Sequence, residues 1–259
     1  MMLWSRVARS SDDGAETSDF MERTFVLVDV PVVDVESQDS QRSPHGPCLE
    51  HALRMACESL CIDRVVAVTA APVEPGASSS LVSVPNGAQV FTSKRPDALG
   101  RLVEAARFFD APSVFLVDGG QWLLDPVFID RLLVAADQLN HCDTLHFIAA
   151  DGNDLSELDA VFPVWCRTSA LERADREAYR WLDRQEPGHY LQAHSQRYRA
   201  GRLALSERDR LAARRCVTEL LNEPWQNVEQ LLQSLSAEDW DCRGVAERLQ
   251  AMAGAAEIR

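Results

Sequence analysis

Three aspartates stand where strands of a parallel sheet are expected to end. They are Asp29 in "TFVLVDV" (24–30), Asp118 after the apolar run 113–117, and Asp151 after "TLHFIAA" (144–150). Open parallel sheets bind ligands beyond the carboxyl ends of their strands. Two or three carboxylates meeting there would hold Mg²⁺, which takes a few carboxylates together with substrate phosphate oxygens. Asp118 is the first candidate for that role, ahead of Asp151 and Asp29. The alternative for each is to close a turn, a common task of aspartate after a strand. Gly119 and Gly120 offer backbone that a phosphate could approach closely, or else form a plain turn. Trp122, just beyond, would stack on a base or pack at the start of a helix.

The elements that must place these residues are legible from periodicity. Strands are expected at 24–30, 64–70, 113–117 and 144–150, with two short ones at "SLVSV" and "AQVFT". The continuous apolar run 113–117 suits a strand buried on both faces. Leu49, Ala52, Leu53, Ala56 and Leu60 recur at helical spacing between the first two strands. Asp97 caps a helix whose inner face is Leu99, Leu102, Val103 and Ala106. Asp125-Pro126 opens another, with Ile129, Leu132, Leu133 and Ala136 facing inward. Ser169 and Glu172 have capping-box spacing, "RLAL" (202–205) is a last strand, and Ser206 with Asp209 opens a further helix. Two helices, near 226–235 and 238–253, finish the chain. This alternation predicts a mainly parallel sheet covered by helices. Residues 1–20 are expected to be a tail, 24–215 an α/β domain, and 216–259 helices packed upon it.

Composition narrows the partners. The net charge is −14 over 259 residues, a surface that repels a phosphate backbone and anionic lipid, so nucleic acid and membrane are not expected partners. Lys94 is the only lysine, so an anionic substrate would have to use arginine, Lys94, backbone N–H groups or a bridging cation. Seven scattered cysteines without a C-x-x-C pair point to a reducing, cytoplasmic setting. Cys57 and Cys61, four apart, are expected on one helix face, and His51 is expected to pack beside its helix stripe. No G-x-G-x-x-G, P-loop, H-E-x-x-H or G-x-S-x-G pattern occurs.

Five segments, taken in order, resemble the cytidylyltransferases that make CMP-activated sugars, in particular the spore-coat polysaccharide type. They are "GPCLEHALRMA" (46–56), "RPDALGRLVEAA", "LLDPVFIDRLL", "FPVWCRTSALERADREA" and "PGHYLQAHSQRYRAGRLALSERDR". The resemblance runs from about Thr24 to Met252. It implies a three-layer α/β fold of the nucleotide-diphospho-sugar transferase, GT-A-like kind, and often a homodimer. It also places Asp97 and Arg101 in a helix below the nucleotide. The departures fall at the rim. The family's first loop carries a Leu-Pro-Gly-Lys signature, whereas "DVESQDSQRSPHGP" is acidic and has Arg42 but no lysine. The position of the family's metal-binding aspartate holds Gly120, with Asp118 two residues earlier. Gly188 replaces the glutamate before His189. "VWCRTS" follows Phe162-Pro163 without the family's acids.

The resemblance therefore implies transfer of a nucleotidyl group from CTP to an acidic or amino sugar in polysaccharide assembly. Mg²⁺ would bind at Asp118 and Asp151, Arg42 and Lys94 would face the triphosphate, and Gly119, Gly120 and His189 would contact substrate. The alternative is a catalytically silent relative that senses a nucleotide-sugar or binds a protein. A glycosyltransferase is a third reading, weakened because Asp34-Val35-Glu36 is a poor Asp-x-Asp motif.

Overall fold

The computed structural model describes residues 24–30, 45–71, 84–119, 121, 123–139, 141–152, 155, 158, 161–222 and 244–245. Arg42, Gly120, Trp122, the 34–36 motif, the tail over 1–20 and the helices expected near 226–235 and 238–253 lie outside them, apart from Gly244 and Val245.

The described strands form one seven-stranded sheet in the order β3-β2-β1-β4-β6-β5-β7. β1 (Thr24–Asp29) lies near its middle, with all six residues buried. It pairs in parallel with β2 (Arg64–Ala70) on one side and β4 (Ser113–Asp118) on the other. β3 (Ala88–Ser93) extends the parallel run to one edge. The second half contains a reversal. β6 (Val164–Arg167) runs antiparallel to both β4 and β5 (Thr144–Ile148), and β7 (Ala200–Ala204) is parallel to β5 at the far edge. A single reversed strand leaves the sheet mainly parallel, as expected from the alternation of elements.

Helices cover both faces, because alternate residues of the central strands bury apolar side chains in opposite directions. Val26, Val28, Phe115 and Val117 pack with α1 (His45–Glu58), α3 (Pro126–Gln138) and α7 (Glu207–Asn222). Phe25, Leu27, Val114 and Leu116 pack with α2 (Ala98–Phe108), α4 (Thr168–Glu177) and α6 (Pro187–Ala193). Full burial of each such Val, Leu or Phe contributes about 1.5–3 kcal/mol before entropy is counted. α7 crosses position 215 unbroken, and Ala213, Cys216 and Val217 sit in the first core with Val245.

The caps fall largely where residue types place them. The Asp97 side chain accepts from Gly100 N–H at 2.8 Å, and Asp125 accepts from Val127 N–H at 2.9 Å. Ser206 Oγ accepts from Asp209 N–H at 3.1 Å at the start of α7. Ser169 and Glu172 differ from expectation. α4 begins two residues earlier, at Thr168, whose hydroxyl donates to the Ala111 carbonyl, and Glu172 accepts from Arg107 Nε at 2.6 Å instead. Leu60 also departs, at 87 % exposure. α1 ends at Glu58, and the Asp130 carboxylate of α3 captures the Ser59 hydroxyl and the Leu60 and Cys61 N–H groups. That capture turns the chain outward, so Cys61 is exposed beyond the helix that carries Cys57. Leu133 is half-buried rather than in the core, and the helix after β6 breaks at Ala178, whose backbone is extended. A separate short helix, α5 (Trp181–Gln185), follows and leads into α6. "SLVSV" falls mainly outside the described residues, and "AQVFT" forms the edge strand β3.

Candidate functional site

The β1–β4 ladder runs to the pair Asp29 and Asp118. Register partners in parallel strands point to the same face, and here that face is the one covered by α2, α4 and α6. The β4–β6 ladder stops two positions earlier, at Leu116 and Val164. Pro163 lies just before β6, which begins at Val164, while β4 continues to Asp118. The sheet therefore opens between β4 and β6 at its carboxyl rim. A cleft of about 390 Å³ occupies the opening. Its walls are apolar at Leu102, Leu116, Val117, Phe162 and Val164, and polar at Asp29, Asp118, Gln121, Gln185, Glu186, His189 and Gln192.

Asp29 and Asp118 share a register but not an environment. Asp29 is buried and held at both oxygens by Arg101, through Nε at 3.0 Å and Nη2 at 2.8 Å. Arg101 is 2 % exposed and donates also to the Pro96 carbonyl at 3.0 Å. Burial nevertheless pushes the Asp29 carboxyl up to about 6, against the pull of Arg101, and the charge of Asp118 adds to that rise. Asp118 is exposed at the lip of the cleft. Its N–H donates to Gln121 Oε1 at 3.0 Å, and Gln121 N–H returns a bond to its carbonyl at 2.8 Å, which fixes the loop after β4 as a tight turn.

The opposite wall, α5 and the start of α6, is tied down by Arg184. Its guanidinium reaches Asp97, the cap of α2, at 2.8 Å, and also Asp175 of α4. It donates further to the Asp175 and Ala178 carbonyls. Arg95 adds a second bond to Asp175 at 3.2 Å. A Cβ at Gly100 would lie 2.5 Å from Arg95 Nε, so a larger residue there would shift the Arg95 side chain. Arg95, Arg101 and Arg184 are thus each committed to a carboxylate.

The residues proposed from sequence are distributed unevenly. Asp118 and His189 both line the cleft, His189 as an exposed residue of α6. Gly119 is buried beside Asp118, but its N–H donates to the Asp29 carbonyl at 2.9 Å, so the sheet uses the donor that a phosphate would need. Lys94 is exposed just past β3, two strands from β1, and does not line the cleft. Asp151 is exposed in the turn after β5, on the far side of β6 from Asp118. It is close enough to Glu207 to oppose that residue's ionisation, and it does not line the cleft. Gln121, Phe162, Gln185, Glu186 and Gln192 are lining residues that sequence reasoning missed. The available signal was His189 and Gln192, three apart on α6 opposite the buried Pro187, Tyr190 and Leu191.

Among the described residues, no group of three or more His, Cys, Asp or Glu side chains could hold a metal. Both oxygens of Asp29 are engaged by Arg101, so a rim cation would rest on Asp118. That donor set fits a largely hydrated Mg²⁺, an ion that keeps several waters and takes one or two carboxylates plus phosphate oxygens.

Helices on both faces of this mainly parallel sheet give the three-layer fold of the nucleotide-diphospho-sugar transferases. A cytidylyltransferase from Leptospira borgpetersenii serovar Hardjo-bovis matches it with a TM-score of 0.53 at 13 % identity, over 82 % of this chain and 93 % of that one. A CMP:2-keto-3-deoxy-manno-octonic acid synthetase complexed with CTP matches with a TM-score of 0.47 at 11 % identity, over 71 % and 90 %. A Mycobacterium tuberculosis H37Rv protein in complex with manganese matches with a TM-score of 0.46 at 17 % identity, over 82 % and 98 %. At these identities the likeness is one of fold. No family model matches the sequence, and no curated protein does.

Proposed function

We propose that this chain is a cytidylyltransferase-like protein of surface polysaccharide assembly, which binds CTP and a sugar at the carboxyl rim and joins them. The observation that carries the reading is the cleft opened between β4 and β6, with Asp118 on its lip. The fold shared with a solved cytidylyltransferase supports it, as do the sequence segments that resemble that family. In the reaction, a sugar oxygen attacks the α-phosphorus of CTP. The bond from that phosphorus to the bridging oxygen breaks, and pyrophosphate leaves. Asp118 would hold Mg²⁺, which would offset charge on the phosphates. The chain's other contribution is positioning: the glutamine amides and His189 orient the sugar, and the apolar walls exclude water. Arg42 and Lys94 are the proposed partners of the triphosphate, Gly120 of a phosphate, and Asp151 an outer ligand of the metal. The resemblance makes a homodimer the proposed assembly.

A second reading is favoured by one observation: no arginine or lysine side chain lines the described cleft. A rim of that kind lacks side-chain charge to stabilise a reacting triphosphate and suits a catalytically silent relative. Thermal unfolding with CTP and with nucleotide-sugars, with and without Mg²⁺, separates the two, because binding to the folded state raises apparent stability by mass action. A Mg²⁺-dependent CTP shift that Asp118→Ala abolishes is the result expected of the transferase. A metal-independent shift with a nucleotide-sugar alone marks the sensor. No shift with any nucleotide removes both.

A further inference from the structure

We propose that residues 179–186 form a flap at the mouth of the cleft, latched by Arg184, and that the flap lifts locally while the sheet stays folded. The segment runs between two buried anchors. Ala178, at the end of α4, has extended backbone and is 6 % exposed. Pro187 is buried and opens α6, which sends Tyr190 and Leu191 into the core. Between these anchors α5 buries no residue. Tyr179, Trp181 and Leu182 are 83 %, 64 % and 62 % exposed and belong to neither core. A helix of five residues is too short to be stable by itself, so another contact must fix it.

Arg184 is that contact. Its Nη1 donates to the Asp175 and Ala178 carbonyls at 2.9 and 3.0 Å, in the last turn of α4, where helix carbonyls lack intrahelical donors. Its Nη2 pairs with Asp97, the cap of α2, at 2.8 Å and with Asp175. Among the described residues, no other side chain of the segment makes a hydrogen bond or ion pair with the rest of the fold. The latch is therefore polar. When it opens, the guanidinium and both carboxylates regain water, and that hydration offsets much of the attraction given up. Because α5 buries no side chain, lifting it gives up little of the apolar burial that holds the sheet. Opening of the flap is thus a local event, well below the cost of global unfolding. Gln185 and Glu186 line the cleft, so lifting the flap widens its mouth. The proposal is independent of the transferase reading, since a gate serves any ligand of this cleft.

Hydrogen–deuterium exchange of the full chain, read by mass spectrometry on peptides covering 179–186, β1 and β4, tests this. The Arg184 and Glu186 amides donate to the Arg180 and Leu182 carbonyls, and they should exchange faster than the amides of β1 and β4. Arg184→Met keeps a long apolar stem and removes every bond of the latch. It should speed exchange in the flap about tenfold or more, the change that follows loss of one charge-assisted hydrogen bond, and leave β1 and β4 unchanged. Asp175→Asn leaves the Asp97 pair in place and should give a smaller rise confined to the same segment. Flap exchange as slow as that of the sheet, unaltered flap exchange in both variants, or a rise that spreads equally to β1 and β4 overturns the proposal. If Arg184→Met does not fold, the same comparison in Asp175→Asn decides.

Discussion

At the amino rim of the sheet stand Arg64, Arg167 and Arg199; at the carboxyl rim stand Asp29, Asp118 and Asp151. The arginines are occupied by their own surroundings. Arg64 lies over the rings of Phe25 and Phe109, 5.6 Å from each centroid. Arg167 donates to the Cys142 carbonyl at 3.0 Å, and Arg199 grips Asp143 through two nitrogens. Arg107, at the shallow depression on that side, is paired with Glu172. Positive charge there closes loops and helix ends. At the opposite rim Asp29 and Asp118 border an opening, and Asp151 stands away from it. A basic cluster on this protein is therefore not by itself a sign of anion binding, and the acid that matters is the one beside a hole.

The largest effect expected of this contrast is at the buried pair of Arg101 and Asp29. Arg101→Ala leaves Asp29 buried without its partner and should cost about 3–5 kcal/mol in urea denaturation. Pairing it with Asp29→Leu should recover most of that loss. A cost below about 1 kcal/mol would show that the pair is solvated and that the two rims differ less than the geometry says. Next comes Asp118→Ala. It should lower Mg²⁺-dependent CMP-sugar formation by about 10²-fold or more, while stability stays within about 0.5 kcal/mol because the residue is exposed. Unchanged turnover would take the metal away from this lip.

pH gives a directional test. Asp29 titrates at about 6 in the folded state against an ordinary 3.8. Its contribution to stability is fully present below about 4 and is lost as pH rises through about 6. His51, buried on α1, is pushed down to about 3 by burial, with Arg54 adding to the effect. Its contribution is fully present above about 6.5 and is lost as pH falls toward 3. The two oppose each other between about 4 and 6. Urea midpoints measured across that range should show the acid loss steepened in Asp29→Asn and flattened in His51→Leu. An unaltered slope in Asp29→Asn would mean that Arg101 outweighs burial. The smallest effect belongs to the amino rim: Arg107→Ala should change stability by no more than about 1 kcal/mol, as exposed pairs do.

Much of the scaffold was legible because its signals are local. Asp97, Asp125 and Ser206 declare helix starts within three residues, and the run from Ser113 declares a buried strand in its own composition. The reversal of β6 was not legible. The four residues Val164–Arg167 carry no sign of direction, which is set by pairing with β4 and β5 far along the chain. Leu60 fits a helical stripe until Asp130, about seventy positions later, captures the backbone beside it. The site divides in the same way. Asp118 and His189, which line the cleft, could be named in advance because strand ends and the family resemblance point to them. The grip of Arg101 on both oxygens of Asp29 joins residues 72 apart, and only coordinates reveal it. The glutamines of the lining have no motif at all.

The unequal lengths of two neighbouring strands have a consequence for what can be altered here. β4 runs on to Asp118 after its pairing with β6 has stopped at Val164, so the hollow is framed by main chain as well as by side chains. Exchanging the groups around the mouth retunes what enters and leaves the frame in place.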